Sequence, residues 1–166
     1  RGQHLRDARW RATVYSVFCR GRQRYRADPL EFVMKRSPLL NIELSEVIAS
    51  MGHGDVLVIG DAGLPVPPGV RRIDLALCQG VPTVEQVLKA VLSELQVERA
   101  VVARESLSKS GEVPSWYASN LSQLPKAPEV LSHNEFKTLT RQAVAVVRTG
   151  EFTPYANVAL ASGVVF

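Results

Sequence analysis

A few short stretches of the sequence carry side chains that can move protons or hold a hydroxylated ligand. Gly52-His53-Gly54-Asp55 sets an imidazole between two glycines, at the entry to an apolar run. An imidazole titrating near about 6.5 gives and accepts protons around neutrality. Asp61 stands directly past that run, Val56-Leu57-Val58-Ile59-Gly60. Ligands of open α/β sheets bind beyond the carboxyl ends of strands. Pro154-Tyr155-Ala156-Asn157 sets a phenol and an amide two residues apart; extended backbone would put both on one face. His133 adds a second imidazole, a weaker signal; its bland reading is a helix-start residue with its ring turned to solvent. Each feature has a bland alternative that the residues leave open: a loop histidine without a role, a turn aspartate bonded to its own backbone, a turn leading into a core tyrosine. Together they offer imidazole, carboxylate, phenol and amide. The chain has no G-x-G-x-x-G, no P-loop, no G-x-S-x-G and no Cys/His pair at zinc spacing. Such a set, with neither cofactor loop nor metal cluster, suits proton transfer on a polyhydroxylated ligand.

The elements that must position these groups follow from periodicity. Leu44, Val47, Ile48 and Met51 recur at helical spacing, with Gly52 where a left-handed cap is wanted. Asp55 to Gly60 reads as a buried strand, ended by the turn Asp61-Ala62-Gly63-Leu64-Pro65. Arg72 to Leu77 reads as a strand. Thr83 caps a helix to about Leu95, with Val84, Val87, Leu88, Val91, Leu92 and Leu95 on one face. Arg99 to Arg104 is a strand, and a helix is expected around Trp116 to Leu124. Glu129 to Leu131 is a short strand. Ser132-His133-Asn134-Glu135 has the spacing of a capping box, so a helix should begin near His133. Ala143 to Val147 is a strand, and residues 157–160 and 164–166 read as two more, broken at Ser162-Gly163. Helices alternating with short apolar strands predict an α/β fold: three layers, α/β/α, with a mixed, mostly parallel sheet.

Composition narrows the function further. The 166 residues are 46% apolar and 22% charged, which suits one globular domain. No apolar run reaches the roughly 18–20 residues of a membrane helix, so no membrane partner is expected. The cysteines, Cys19 and Cys78, are too few for a disulfide framework, and a cytoplasmic location is expected. The net charge of +4 is unevenly placed. Residues 1–33 hold eight arginines against Asp7, Asp28 and Glu31, leaving 12 basic and 13 acidic groups in residues 34–166. The main domain therefore carries no electrostatic signature of a nucleic-acid partner. The composition break divides the chain into a basic extension, 1–33, and a domain, 34–166. A start of translation at Met34 is the reading preferred over a transit peptide or a phosphate-binding arm.

Five separated motifs resemble the D-ribose pyranase family, in the family's order. They are Met51-Gly52-His53-Gly54-Asp55; Asp61-Ala62-Gly63-Leu64-Pro65-Val66-Pro67; Arg72-Ile73-Asp74-Leu75-Ala76-Leu77-Cys78-Gln79-Gly80-Val81-Pro82; His133-Asn134-Glu135-Phe136-Lys137; and Thr149-Gly150-Glu151-Phe152-Thr153-Pro154-Tyr155-Ala156-Asn157. The resemblance covers Met34 to Phe166. The related L-fucose mutarotases share the Gly-His-Gly-Asp stretch and the Asp-Ala turn, but carry a bulkier sequence where Gly63-Leu64-Pro65 stands here. Cys78 stands where family members usually have a small or polar residue, and is read as a harmless substitution.

The resemblance implies interconversion of the pyranose and furanose rings of free D-ribose without cofactor or metal. It implies His53 as the proton donor and Asp61, His133, Tyr155, Ala156 and Asn157 as substrate-binding positions. It also implies a ring-like homo-oligomer with sites near subunit contacts. Asp61 would either accept hydrogen bonds from sugar hydroxyls or hold His53 in one tautomer. Two further functions compete: a mutarotase of fucose-like sugars, and a non-catalytic sugar-binding accessory protein of ribose uptake.

Overall fold

The computed structural model describes residues 35–166, and the expectations for residues 1–33 lie outside the described residues. The elements run α1 (Ile42–Ser50), β1 (Val56–Gly60), β2 (Arg71–Asp74), α2 (Val84–Leu92), β3 (Val97–Ala103), α3 (Ser115–Ala118), β4 (Glu129–Leu131), α4 (His133–Leu139), β5 (Ala145–Arg148) and β6 (Val158–Ser162). The six strands form one sheet in the order β2-β5-β1-β6-β3-β4. β2, β5 and β1 pair in parallel, as do β3 and β4, while β6 lies antiparallel between β1 and β3. The mixed, mostly parallel sheet is the expected one.

Alternation along the strands divides the interior into two cores. Leu57, Ile59, Ile73, Val102, Val147, Val158 and Leu160 point to one face, where Leu44 and Val47 of α1, the apolar stripe of α2, and Trp116 and Tyr117 of α3 cover them. Val56, Val58, Val101, Val146 and Ala159 point to the other, closed by Phe136 of α4 and by Leu64. β1 is buried along its whole length, as expected for a strand with helices on both faces. Burial also shapes chemistry here: the Tyr117 phenol is pushed up to about 12 by its surroundings.

Both helix starts read from the sequence are closed by reciprocal capping boxes, Thr83 with Gln86 and Ser132 with Glu135. Other boundaries differ from expectation. α1 ends at Met51 in extended backbone, and the positive φ falls on Gly54 instead of Gly52. β2 is shorter than predicted, because past Asp74 its carboxylate accepts from Ala76 N–H and turns the chain. The helix expected over Trp116 to Leu124 is regular only to Ala118, where the Asn120 amide donates to Trp116 O and competes with the backbone ladder. The tail holds one strand, β6. Gly163 N–H donates to Gln96 O, one residue before β3, and beyond it Val164, Val165 and Phe166 stand exposed without regular structure.

Candidate functional site

The carboxyl ends of β1 and β5 lie side by side, and three segments meet there. The turn after β1 carries Asp61; its Ala62 N–H donates to Glu151 O, and Arg148, at the end of β5, donates through Nε to Ala62 O. The buried Thr149 donates both its N–H and its hydroxyl to Gly60 O. Gly60 is required at that point: a Cβ there would stand 2.5 Å from Leu64 Cδ2 and 3.1 Å from Asn157 Oδ1. The loop from Glu151 to Tyr155 and the first turn of α4 complete the enclosure.

These segments line a cavity of about 500 Å³, within the range of roughly 300–1,000 Å³ usual for small-molecule sites. Asp61, His133, Lys137, Arg148, Glu151 and Tyr155 supply its polar groups, and Phe152 and Pro154 its apolar edge. The Asp61 carboxylate is aimed by hydrogen bonds from Gly63 N–H (2.9 Å) and from Asn157 Nδ2 (3.1 Å). Glu151 is also held as a carboxylate. Burial pushes its pKa up, but donation from Thr153 N–H and hydroxyl and from Phe152 N–H outweighs this and leaves it lowered. His133 and Tyr155 pack edge to face with ring centres 5.0 Å apart. The His133 ring therefore lies against Tyr155, which sets aside the bland reading of a ring turned to solvent, and its Nδ1 is buried without a hydrogen-bond partner. Its backbone N–H donates to the Glu105 carboxylate, whose pKa is lowered first by Glu105's own backbone N–H and then by that contact.

The segment 154–157 takes the turn that the residues leave open, not the extended backbone. Tyr155 adopts φ 64°, a left-handed conformation that few non-glycine residues take. The stretch is a turn, so Tyr155 and Asn157 do not share a face. Tyr155 faces the cavity, whereas Ala156 and Asn157 are buried behind it. The Asn157 side chain accepts from Asp61 N–H at 2.8 Å as well as donating to the carboxylate. In this chain its amide is engaged in holding Asp61.

His53 lies elsewhere. It precedes β1 whereas Asp61 follows it, and five strand residues at about 3.3 Å each separate the two by roughly 17 Å or more. His53 does not line the cavity, so within one chain Asp61 does not set its tautomer. Its Nε2 instead meets Glu98 Oε2 at 2.6 Å, with both side chains 59% exposed. Neither Glu98 nor the cavity residues Lys137 and Arg148 stood out in the sequence. Lys137 had a usable signal: it lies four residues after His133, on the same face of a helix. Arg148 had the strand-end rule. Among the described residues, no group of three or more His, Cys, Asp or Glu is arranged to hold a metal ion, and no helix is long and apolar enough to cross a membrane.

An α/β/α sandwich with two carboxylates, two basic side chains and an aromatic pair around a small cavity at its strand ends defines a binder of a small polar molecule. The chain belongs to the RbsD / FucU transport protein family, whose model matches residues 34–165. It is 60% identical over 134 residues to the D-ribose pyranase of Paracidovorax citrulli (strain AAC00-1), a match covering 80% of this chain and 100% of that protein. Its fold is similar to the structure of Bacillus subtilis RbsD complexed with D-ribose, at 44% identity and TM-score 0.72, covering 80% of this chain and 100% of that one. The fucose mutarotase from Streptococcus pneumoniae in complex with L-fucose shares the fold, at 24% identity and TM-score 0.65, with coverage of 80% and 100%.

Proposed function

We propose that this chain interconverts the pyranose and furanose rings of free D-ribose by acid/base catalysis without a cofactor. The observation that carries the reading is the cavity beyond β1 and β5. It places Asp61, His133 and Tyr155 around a sugar-sized space, in a chain spanning the full length of a D-ribose pyranase to which it is 60% identical. Ring interchange passes through the open-chain aldehyde. A proton reaches the ring oxygen as its bond to the anomeric carbon breaks, and the anomeric hydroxyl gives up its proton. A different hydroxyl then adds to the aldehyde carbon, losing a proton while the carbonyl oxygen regains one. Only hemiacetal bonds change, so proton donors and acceptors suffice. His53 is the proposed proton donor. Asp61 accepts from sugar hydroxyls, while Tyr155 and His133 fix the ring. Ala156 and Asn157 contribute by shaping the wall and aiming Asp61.

The separation of His53 from the cavity calls for a second copy of the chain. A head-to-tail contact would set the His53 end of one copy against the cavity end of the next, and such a contact forms a ring where the rotation between copies closes. Exposed apolar side chains stand at both ends: Leu77, Val81 and Phe152 near the cavity, and Val164, Val165 and Phe166 near His53. These patches support a ring-like homo-oligomer with shared sites.

Saturation-transfer NMR of ribose tests the reading. Addition of the protein is expected to accelerate pyranose–furanose exchange in ribose more than anomer exchange in fucose. The opposite preference would favour a mutarotase of fucose-like sugars, and ribose binding without any acceleration would favour an accessory binding protein.

A further inference from the structure

We infer that Glu98 is a positioning residue for His53, holding the imidazole by Nε2 so that Nδ1 carries the exchangeable proton toward the sugar. The inference rests on the proposed role of His53. An ionised carboxylate only accepts hydrogen bonds, so at 2.6 Å from Glu98 Oε2 the imidazole Nε2 must be the donor. Neutral His53 then has its lone pair on Nδ1, and the imidazolium has its transferable proton there.

The fold makes a local departure to place this carboxylate. Val97 pairs with Ser162 of β6 and Arg99 with Ala161, so Glu98 is an extra residue at a bulge in β3. Two successive exposed residues, Glu98 and Arg99, interrupt the strand's alternation. A β-bulge re-aims the side chain it carries and is common beside active sites. Across from it, a Cβ on Gly163 would stand 3.0 Å from Glu98 Cβ and 3.3 Å from Glu98 N, so the neighbouring chain has no side chain where Glu98 fits. Arg99, the nearest cation in sequence, is paired with Glu129 at 3.1 Å and does not compete. The loop bearing His53 is fastened from both sides. Gly54 N–H donates to Ser162 O at 2.9 Å, the Ser162 hydroxyl donates to Gly52 O, and Gly52 N–H donates to Asp55 Oδ2 at 2.8 Å. An exposed ion pair adds little stability, so stability does not account for a bulge, a glycine and a pinned loop converging on one contact. Orientation of a proton-transferring imidazole does.

The test combines a tautomer measurement with kinetics on the full chain. In ¹⁵N spectra at neutral pH, with the His53 signals assigned by their loss in His53→Ala, the native protein is expected to show His53 mainly as the Nε2–H tautomer. Glu98→Ala should mix the tautomers and lower kcat for ribose ring exchange about ten- to a hundredfold, with KM changed much less. Glu98→Gln keeps an oxygen acceptor and should restore most of the loss. A Glu98→Ala protein with native tautomer and native kcat overturns the inference. A native protein that fails to accelerate ribose exchange overturns the proposed function instead, and the tautomer comparison then decides the Glu98–His53 contact on its own.

Discussion

At the carboxyl end of β1, Asp61 is locked by Asn157 and Gly63, Arg148 reaches Ala62 O and Asp74, and Thr149 closes on Gly60. At the amino end, His53 and Glu98 stand 59% exposed, next to a tail of exposed apolar residues. One end is a cavity whose polar groups are held by a network of hydrogen bonds, with the Thr149–Gly60 contact buried beneath it. The other is an exposed imidazole paired with an exposed carboxylate. If His53 is the proton donor proposed above, a protein acting alone gains nothing from keeping it roughly 17 Å or more from the ligand cavity. A protein acting as an assembly gains a site that exists only when copies dock.

The largest effect expected from breaking this contrast is at His53. Replacement by alanine should slow catalysed ribose exchange about 10²–10⁴-fold, the usual contribution of a positioned proton donor. The melting temperature should stay near native because the side chain is exposed. Exchange kinetics by NMR beside a thermal melt check both, and a large loss of stability would show that the two ends are not independent.

Gly150→Ala attacks the cavity end through packing alone. Its Cβ would meet Val81 O at 2.3 Å and Cys78 O at 2.5 Å, both backbone atoms that cannot swing away. Chemical denaturation is expected to show a loss of about 3 kcal/mol. Asn157→Ala is smaller but more selective. It removes both amide contacts to Asp61, should cost about 1–3 kcal/mol, and should raise KM for ribose by freeing the carboxylate. Unchanged KM would mean that Asn157 does not aim Asp61.

The smallest effect is in acid. The Glu105 carboxyl, which holds His133 N–H, has a pKa lowered from its ordinary 4.5. A lowered folded value means its stabilisation is present above about 4.5 and is lost as pH falls through the lower folded value. Glu105→Gln should therefore reduce stability at neutral pH slightly and flatten the acid side of the stability profile. A variant whose acid profile matches the native one would remove Glu105 from the support of α4.

Much of this architecture is written in local patterns. The stripe of α2, the capping box at Ser132 and the all-apolar run of β1 each encode their own element, and Asp61 follows from the strand-end rule. What escaped depends on contacts between distant segments. No local pattern shows that β6 inserts antiparallel between β1 and β3, and that insertion brings Gly163 against Glu98 and Ser162 against Gly52. Tyr155 lines the cavity. Its left-handed backbone, which separates it from Asn157, is imposed by the surrounding loop and not by tyrosine. The distance of His53 from Asp61 was legible, since the sequence puts one at the entry of the β1 run and the other past its end; which further residues close the cavity around Asp61 was not.

The most direct test of a shared site is complementation. His53→Ala and Asp61→Ala chains, each expected to be inactive alone, are co-expressed in equal amounts, and mixed assemblies are verified by mass spectrometry. A site built from two copies should recover about a quarter of native exchange activity on random mixing, since one in four contacts pairs an intact His53 with an intact Asp61. Mixed assemblies that remain inactive would contradict the account.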